Sequence, residues 1–258
     1  MTEEEQMIKI ENGEVIGWEH AIRGMRNPMN SWDKMDSHVC NVEWGCDCSM
    51  CENDHEPAVE CNDGAFGYCI GENDMSLMTR LRNAGTDHRK FMRMLIVYVD
   101  ITAPLYWWKE FDTYKVGTVA NSCSTMHKVH AKEFTLDDFS HEHLTEDDDL
   151  NCSVAGLDIL LCDIENLNEF RNAFIKTKDK KYWWQIIQLL PTSYNQMRTV
   201  TLNYEVLLNI YHARKHHKLD EWHTLCDWIE SLPYAKELIV LRKSKKRQDL
   251  THGTSTMR

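Results

Sequence analysis

The sequence predicts a mixed α/β chain (α+β in arrangement), with long helices packed on a sheet. Three observations lead there. Residues 94–101 (MLIVYVDI) are rich in β-branched side chains and alternate as a half-buried strand does. Segments of helical periodicity flank that run and fill the second half of the chain. At 258 residues and 42% hydrophobic content, with nine Trp and nine Tyr, the chain can bury a sizeable core.

Taken in order, residues 8–26 predict a short strand and then a helix. Trp18, Ala21, Ile22 and Met25 recur at helical spacing, and Asn27-Pro28 ends the pattern. Residues 36–72 differ. Cys40, Cys46, Cys48, Cys51, Cys61 and Cys69 stand there among acidic residues and glycines with little periodicity, which reads as an inserted loop or knuckle. Helix returns over 75–84, through Met75, Leu77, Met78 and Leu81, with a stop at Gly85. After the strand, Pro104 suits a first helical turn, where its missing N–H has no partner to lose. Tyr106, Trp107 and Trp108 then give way to an uncharged polar segment, residues 117–125. Beside an aromatic wall, such a loop suits recognition of a polar ligand by hydrogen bonds, although from the segment alone a plain Ser/Thr-rich connection between elements is the favoured reading.

Residues 133–149 are strongly acidic, with helix starts at Thr135…Asp138 and Thr145…Asp148. His141-Glu142-His143 reads as a solvated stretch, because i and i+2 do not share a helical face. Residues 157–176, 182–190, 203–214 and 219–232 are helices by pattern, and Pro191 and Pro233 close the second and fourth. One domain over 1–240 is expected, with 241–258 as a basic, disordered tail carrying RKSKKR.

Net charge is −12, which argues against an extended nucleic-acid partner. No apolar run approaches a membrane span, and the opening MTEEEQ is acidic without a secretory pattern, so the expectation is a cytoplasmic protein with reduced thiols. Cys46, Cys48 and Cys51 place three thiols close together. Cys61, or else Cys40 or Cys69, completes a tetrahedral zinc set, with His38 and His55 as further ligands. Such a site is closed and structural, and scattered free thiols are the other reading. In residues 190–214 (LPTSYNQMRTVTLNYEVLLNIYHAR), a helix over 203–214 sets Asn203, Leu207, Ile210 and Arg214 on one stripe. Buried, Arg214 needs a planar anionic or carbonyl-rich partner, such as a phosphate or a pyrimidine or flavin edge. At the surface it pairs instead with Asp220 or Glu221.

These residues resemble the flavin-dependent thymidylate synthases, the ThyX or thymidylate synthase complementing family, and above all its divergent phage and prophage members. The resemblance covers most of residues 8–232 outside the cysteine-rich insert. Its carriers are the helix, loop and strand from 77 to 101 with Ala103-Pro104, and Asn121-Ser122-Cys123-Ser124 where the family has Asn-Glu-x-Ser. Leu190-Pro191 ahead of Arg198, and Asn203 with Arg214 at the family's spacing, complete it. It implies a mixed α/β protomer in a homotetramer, with active sites between subunits that hold FAD beside dUMP. NADPH is then the reductant and methylenetetrahydrofolate the carbon donor. By position, Asn121, Ser122, Ser124, Arg198 and Lys115 would lie at the nucleotide, and His88, Arg93, Asn203 and Arg214 at the flavin or pyrimidine.

The departures from the family pattern bear on chemistry. Its Arg-His-Arg falls on Thr113-Tyr114-Lys115, its Glu on Ser122, the following Arg-Tyr on Met126-His127, and the flavin-side Glu-His on Met92-Arg93. Losing roughly two or three phosphate contacts at about 1.5–3 kcal/mol each weakens dUMP binding by orders of magnitude. The resemblance thus implies the fold and a pocket that holds or sequesters a nucleotide, ahead of an active FAD-dependent synthase that modifies dUMP. It assigns no catalytic residue.

Overall fold

The chain runs β1 (Lys9–Ile16), α1 (Trp18–Arg26), β2 (His38–Val39), β3 (Tyr68–Cys69), α2 (Glu72–Ala84), β4 (Ile96–Pro104) and α3 (Leu105–Phe111). It continues through β5 (Val119–Ser122), α4 (Gly156–Thr177), α5 (Lys180–Leu189), β6 (Asn195–Asn203), α6 (Tyr204–Arg214) and α7 (Glu221–Glu230). These elements come from a computed structural model that describes residues 7–39, 68–145 and 154–241.

A four-stranded antiparallel sheet of order β1-β4-β6-β5 organises them. Along β4 the alternation has its predicted effect. Val97, Val99, Ile101 and Ala103 are buried on one face, while Tyr98 stands on the other at 40% exposure. Each of those buried β-branched side chains contributes roughly 1.5–3 kcal/mol relative to an exposed one. β6 continues the core face with Val200 and Leu202, in unbroken register from Ile96↔Asn203 to Pro104↔Asn195. Helices α1, α3, α6 and α7 cover that face, with Trp18, Ile22, Trp107, Leu207, Ile210 and Trp222 in one cluster. A second cluster joins α4 and α5 to the segment before them, through Phe134, Phe139, Leu160, Leu167 and Ile186. The turn from β1 into α1 requires glycine. Gly17 has φ 98°, and a Cβ there would meet the Met94 carbonyl oxygen at 2.2 Å.

The predicted helices α1, α2, α4, α5, α6 and α7 all form, within a few residues of their expected ends. Three expectations need correction. The polar segment 117–125 is not wholly a loop, because Val119–Ser122 pairs with β6 as the sheet's edge strand. Residues 195–203 form a strand that the helical reading of 203–214 concealed, although Val200-Thr201-Leu202 carries strand alternation. Asn203 therefore does not ride the helical stripe. It caps α6, its side-chain oxygen accepting from Val206 N at 3.1 Å. The capping arrangement at Thr135 does form, with Thr135 N donating to Asp138 at 3.0 Å, but it opens only a single tight turn, Leu136–Asp138. Thr145…Asp148 and the basic run 242–247 extend beyond the described residues.

The two ends of the cysteine-rich insert are held together. β2 and β3 pair antiparallel, which sets His38 opposite Cys69. Asp36 caps α2 from outside the helix, accepting from Asn73 N at 2.8 Å and Asp74 N at 3.0 Å. Asp74 is fully buried and accepts from Arg26 Nε at 2.6 Å, from Ser37 Oγ at 2.7 Å and from the Asp36 and Ser37 N–H groups. Burial alone would raise its carboxyl; the hydrogen bonds from Ser37 and Arg26 outweigh that and hold it below the usual carboxylate range. Cys46, Cys48, Cys51 and Cys61 lie outside the described residues, and among the described residues no group of three His, Cys, Asp or Glu gathers as a metal site. No described helix is long and apolar enough to cross a membrane.

Candidate functional site

Pro104 ends β4 at φ −67° and ψ 150°, and the chain turns directly into α3. The helix drives Trp107, Trp108 and Phe111 into the core. Trp107 stacks on Phe111 with centroids 5.2 Å apart, and Trp222 of α7 packs 4.8 Å from Trp107. Glu110, Asp112 and Tyr114 leave this aromatic wall at its edges, and each meets one of the predicted arginines.

Arg198 lies on β6 opposite Ser122 of β5. Its guanidinium stands 4.2 Å from the Trp108 ring centre, Nη1 donates to Asp112 Oδ1 at 2.8 Å, and Nε donates to Gln196 Oε1 at 3.0 Å. Gln196 is held in turn, donating from Nε2 to the Cys123 carbonyl at 2.7 Å. Arg214 closes α6. Its Nη1 donates to Glu110 Oε2 at 2.7 Å and its Nε to Tyr114 Oη at 2.9 Å, while the guanidinium sits 4.6 Å from the Trp222 ring centre. Its anion is Glu110, a planar carboxylate, and neither Asp220 nor Glu221, which corrects the surface pairing expected for Arg214. Glu110 also accepts from Trp222 Nε1 at 3.3 Å, and His217 Nε2 lies 3.4 Å from the same oxygen.

Asn203 and Arg214 occupy opposite ends of α6, about 16 Å apart at the helical rise. Between them Leu207 and Ile210 are fully buried, as the stripe requires. Over Asn203 sits Gly117 at φ 79°, where an added Cβ would meet Asn203 Nδ2 at 2.8 Å. One residue into α6, Glu205 is buried between Arg89, which donates at 3.0 Å, and Arg93. Burial alone would raise the Glu205 carboxyl, and the two arginines hold it below the usual range. The hydrogen bond to Glu205 in turn raises Arg93.

The remaining candidates are exposed: His88, Lys115, Asn121, Ser122 and Ser124. Asn121 lies opposite Thr199, and Ser124 Oγ accepts from Met126 N at 3.2 Å and His127 N at 3.0 Å. The structure thus joins Ser122 to Arg198 at one sheet edge and leaves Arg214, Asn203 and Arg93 at separate positions around α6. Sequence reasoning missed Glu110, Asp112, Glu205 and Arg89. Their partners lie 104, 86, 112 and 116 residues away, for the pairs with Arg214, Arg198, Arg93 and again Glu205, and no local pattern signals that.

Two cavities lie beside these groups and are lined by none of the predicted nucleotide or flavin residues. One of about 280 Å³ is bordered by Tyr106, Ser140, His141, Glu142 and His143. The His-Glu-His stretch therefore faces a cavity instead of open solvent alone. Tyr106 donates to buried Glu221 and stands 3.0 Å from Ser140 Oγ; burial, then the Glu221 bond, raises its phenol well above the ordinary value. The other, about 360 Å³, lies among Lys215, His216, His217, His223 and Glu230.

A bound FAD needs N–H or cationic donors at its pyrophosphate and fixed hydrogen bonds at its ring system. Arg93 Nε and Arg214 Nε and Nη1 donate within this chain, and Asn203 Oδ1 accepts from Val206 N, so the Asn203 amide nitrogen and Arg214 Nη2 are the donors of these side chains that would hold such a group. No model of a known protein family matches the sequence, and no curated protein matches it. Solved structures do match. The flavin-dependent thymidylate synthase ThyX from Helicobacter pylori, complexed with FAD and dUMP, aligns at 16% identity and TM-score 0.57, over 90% of this chain and 97% of its own. The UMP/dUMP methylase PolB from Streptomyces cacaoi, bound with 5-Br dUMP, aligns at 12% identity and TM-score 0.52, over 90% and 93%. The chain has the mixed α/β fold of the flavin-dependent thymidylate synthase ThyX.

Proposed function

We propose that this protein binds a nucleotide-type ligand in pockets between subunits of a homo-oligomer, and holds it without thymidylate-forming turnover. One observation carries the reading. The arginines placed at the site by position are engaged by carboxylates of the chain itself: Arg198 by Asp112, Arg214 by Glu110 and Arg93, which stands where the family has His, by Glu205. A synthase site must fix a dianionic phosphate and a flavin pyrophosphate at once, and neutralised cations serve neither well. The structures it resembles hold pyrimidine nucleotides, which supports the ligand class.

A second copy supplies what one chain lacks. β5 is an edge strand with all four residues exposed, flanked by Val116 at 90% exposure and Met126 at 47%, with Val119 at 70% within it. An exposed apolar edge of this kind favours pairing with another chain, and it adjoins Ser122 and Arg198.

The purified protein tests the reading directly. We expect a colourless solution, no oxidation of NADPH when FAD, dUMP and methylenetetrahydrofolate are supplied, and a pyrimidine nucleoside or nucleotide released by heating and identified by mass. A yellow protein whose flavin NADPH reduces in the presence of dUMP would instead establish an active flavoenzyme. A protein that releases nothing and binds no added pyrimidine ligand removes the binding reading.

A further inference from the structure

We propose that the ligand is recognised through its base and sugar, and that a 5′-phosphate adds nothing to its binding. The chain then takes a pyrimidine nucleoside at least as tightly as the nucleoside monophosphate. This rests on the reading above that the pocket holds a nucleotide-type ligand.

The argument is one of charge and geometry. A monophosphate carries a charge of about −2 near neutral pH and is held by charge-assisted bonds from guanidinium forks, ammonium groups or backbone N–H groups. Arg198 has Nη1 on Asp112, Nε on Gln196 and its face on Trp108, and its side chain is 15% exposed. A phosphate that took its fork would leave the Asp112 carboxylate beside a dianion, and like charges at that range disfavour each other strongly. Arg214 has Nη1 on Glu110, Nε on Tyr114 and its face on Trp222, with 18% exposure. Swinging Glu110 aside also breaks its bond from Trp222. Each pair is locally neutral, in a chain of net charge −12.

Arg89 and Arg93 share Glu205, which leaves one net positive charge at the first turn of α6. Arg214 sits at the far end of the same helix. Residues 119–124 of the sheet edge offer neutral groups, the exposed hydroxyls and amide of Asn121, Ser122 and Ser124; the exposed Lys115, which precedes that edge, is a single ammonium and no guanidinium fork. The neutral groups suit sugar hydroxyls and base edges.

The test is calorimetric titration of the full chain with 2′-deoxyuridine and with dUMP, at about 50 and about 300 mM salt. We expect deoxyuridine to bind as tightly as dUMP or more so, with dUMP affinity insensitive to salt. Binding of dUMP about tenfold tighter than deoxyuridine overturns the inference and leaves the binding reading standing. Binding of neither overturns both. Asp112→Asn and Glu110→Gln, each nearly isosteric, release one guanidinium apiece without removing side-chain volume. One 5′-phosphate reaches only one of these separate positions, so one of the two substitutions is expected to strengthen dUMP binding about tenfold and leave deoxyuridine within about threefold. The two variants are read separately, each after a melting curve shows it folded. No gain for dUMP in either folded variant overturns the inference.

Discussion

At the residue scale, two residues that meet at the head of α6 decide how the turn after α3 is seated. Asn203 caps the helix, and Gly117 lies against its amide with a φ that L side chains rarely adopt. Asn203→Ala should destabilise the protein by about 1 kcal/mol through loss of the cap. Gly117→Ala should cost about 1–3 kcal/mol, from the positive φ and from contact with Asn203 Nδ2. The double variant should lose less than the two single losses added, because removing the amide makes room for the new methyl group while the φ strain remains. Urea denaturation of the three variants checks this; strict additivity would mean that the two residues do not meet. Glu205 poses a different case. It is buried against Arg89 and the half-exposed Arg93, so Glu205→Ala should cost about 1.5–3 kcal/mol, chiefly by leaving the Arg89 guanidinium without its anion while water solvates Arg93.

At the element scale, the sheet explains both the legible and the hidden parts of the chain. β4 was plain in the sequence because every second residue is apolar over its whole length. β5 was not, because an edge strand of Val-Ala-Asn-Ser with both faces exposed carries no alternation to read. β6 was masked by its neighbour: Asn203 fits a helical stripe equally well as its first member or as the cap before it. The exposed edge has a consequence in solution. Val116→Lys with Val119→Lys places two charges on it, and light scattering should find this variant shifted toward the monomer, with the core elements unaffected by circular dichroism. An unchanged molecular mass would place the subunit contact elsewhere.

At the scale of the whole molecule, acid stability should report the clamp that ties α1, α2 and the mouth of the insert together. Asp74 has its folded-state carboxyl held below the ordinary value, so its contribution is present at neutral pH and is lost as pH falls below about 4. Asp74→Asn should lower stability at neutral pH by about 3–5 kcal/mol, since Arg26 keeps its charge in a buried place. The same variant should also flatten the decline on acidification, measured by chemical denaturation across that range. A parallel shift of the whole pH curve would show that Asp74 does not titrate with unfolding.

The sequence by itself determined the helices, the central strand and the aromatic wall, because apolar periodicity states which side of each element must leave water. It also named Arg198, Arg214 and Asn203 as residues set apart from their surroundings. Tertiary structure alone decided what they do. An arginine on β6 or at the end of α6 meets Asp112 or Glu110 only because the path of the chain folds α3 against both, 86 and 104 residues away in sequence. Burial is written in local pattern, whereas the partner of a charge is a property of three-dimensional adjacency, and in this protein that adjacency sets the electrostatics of the site.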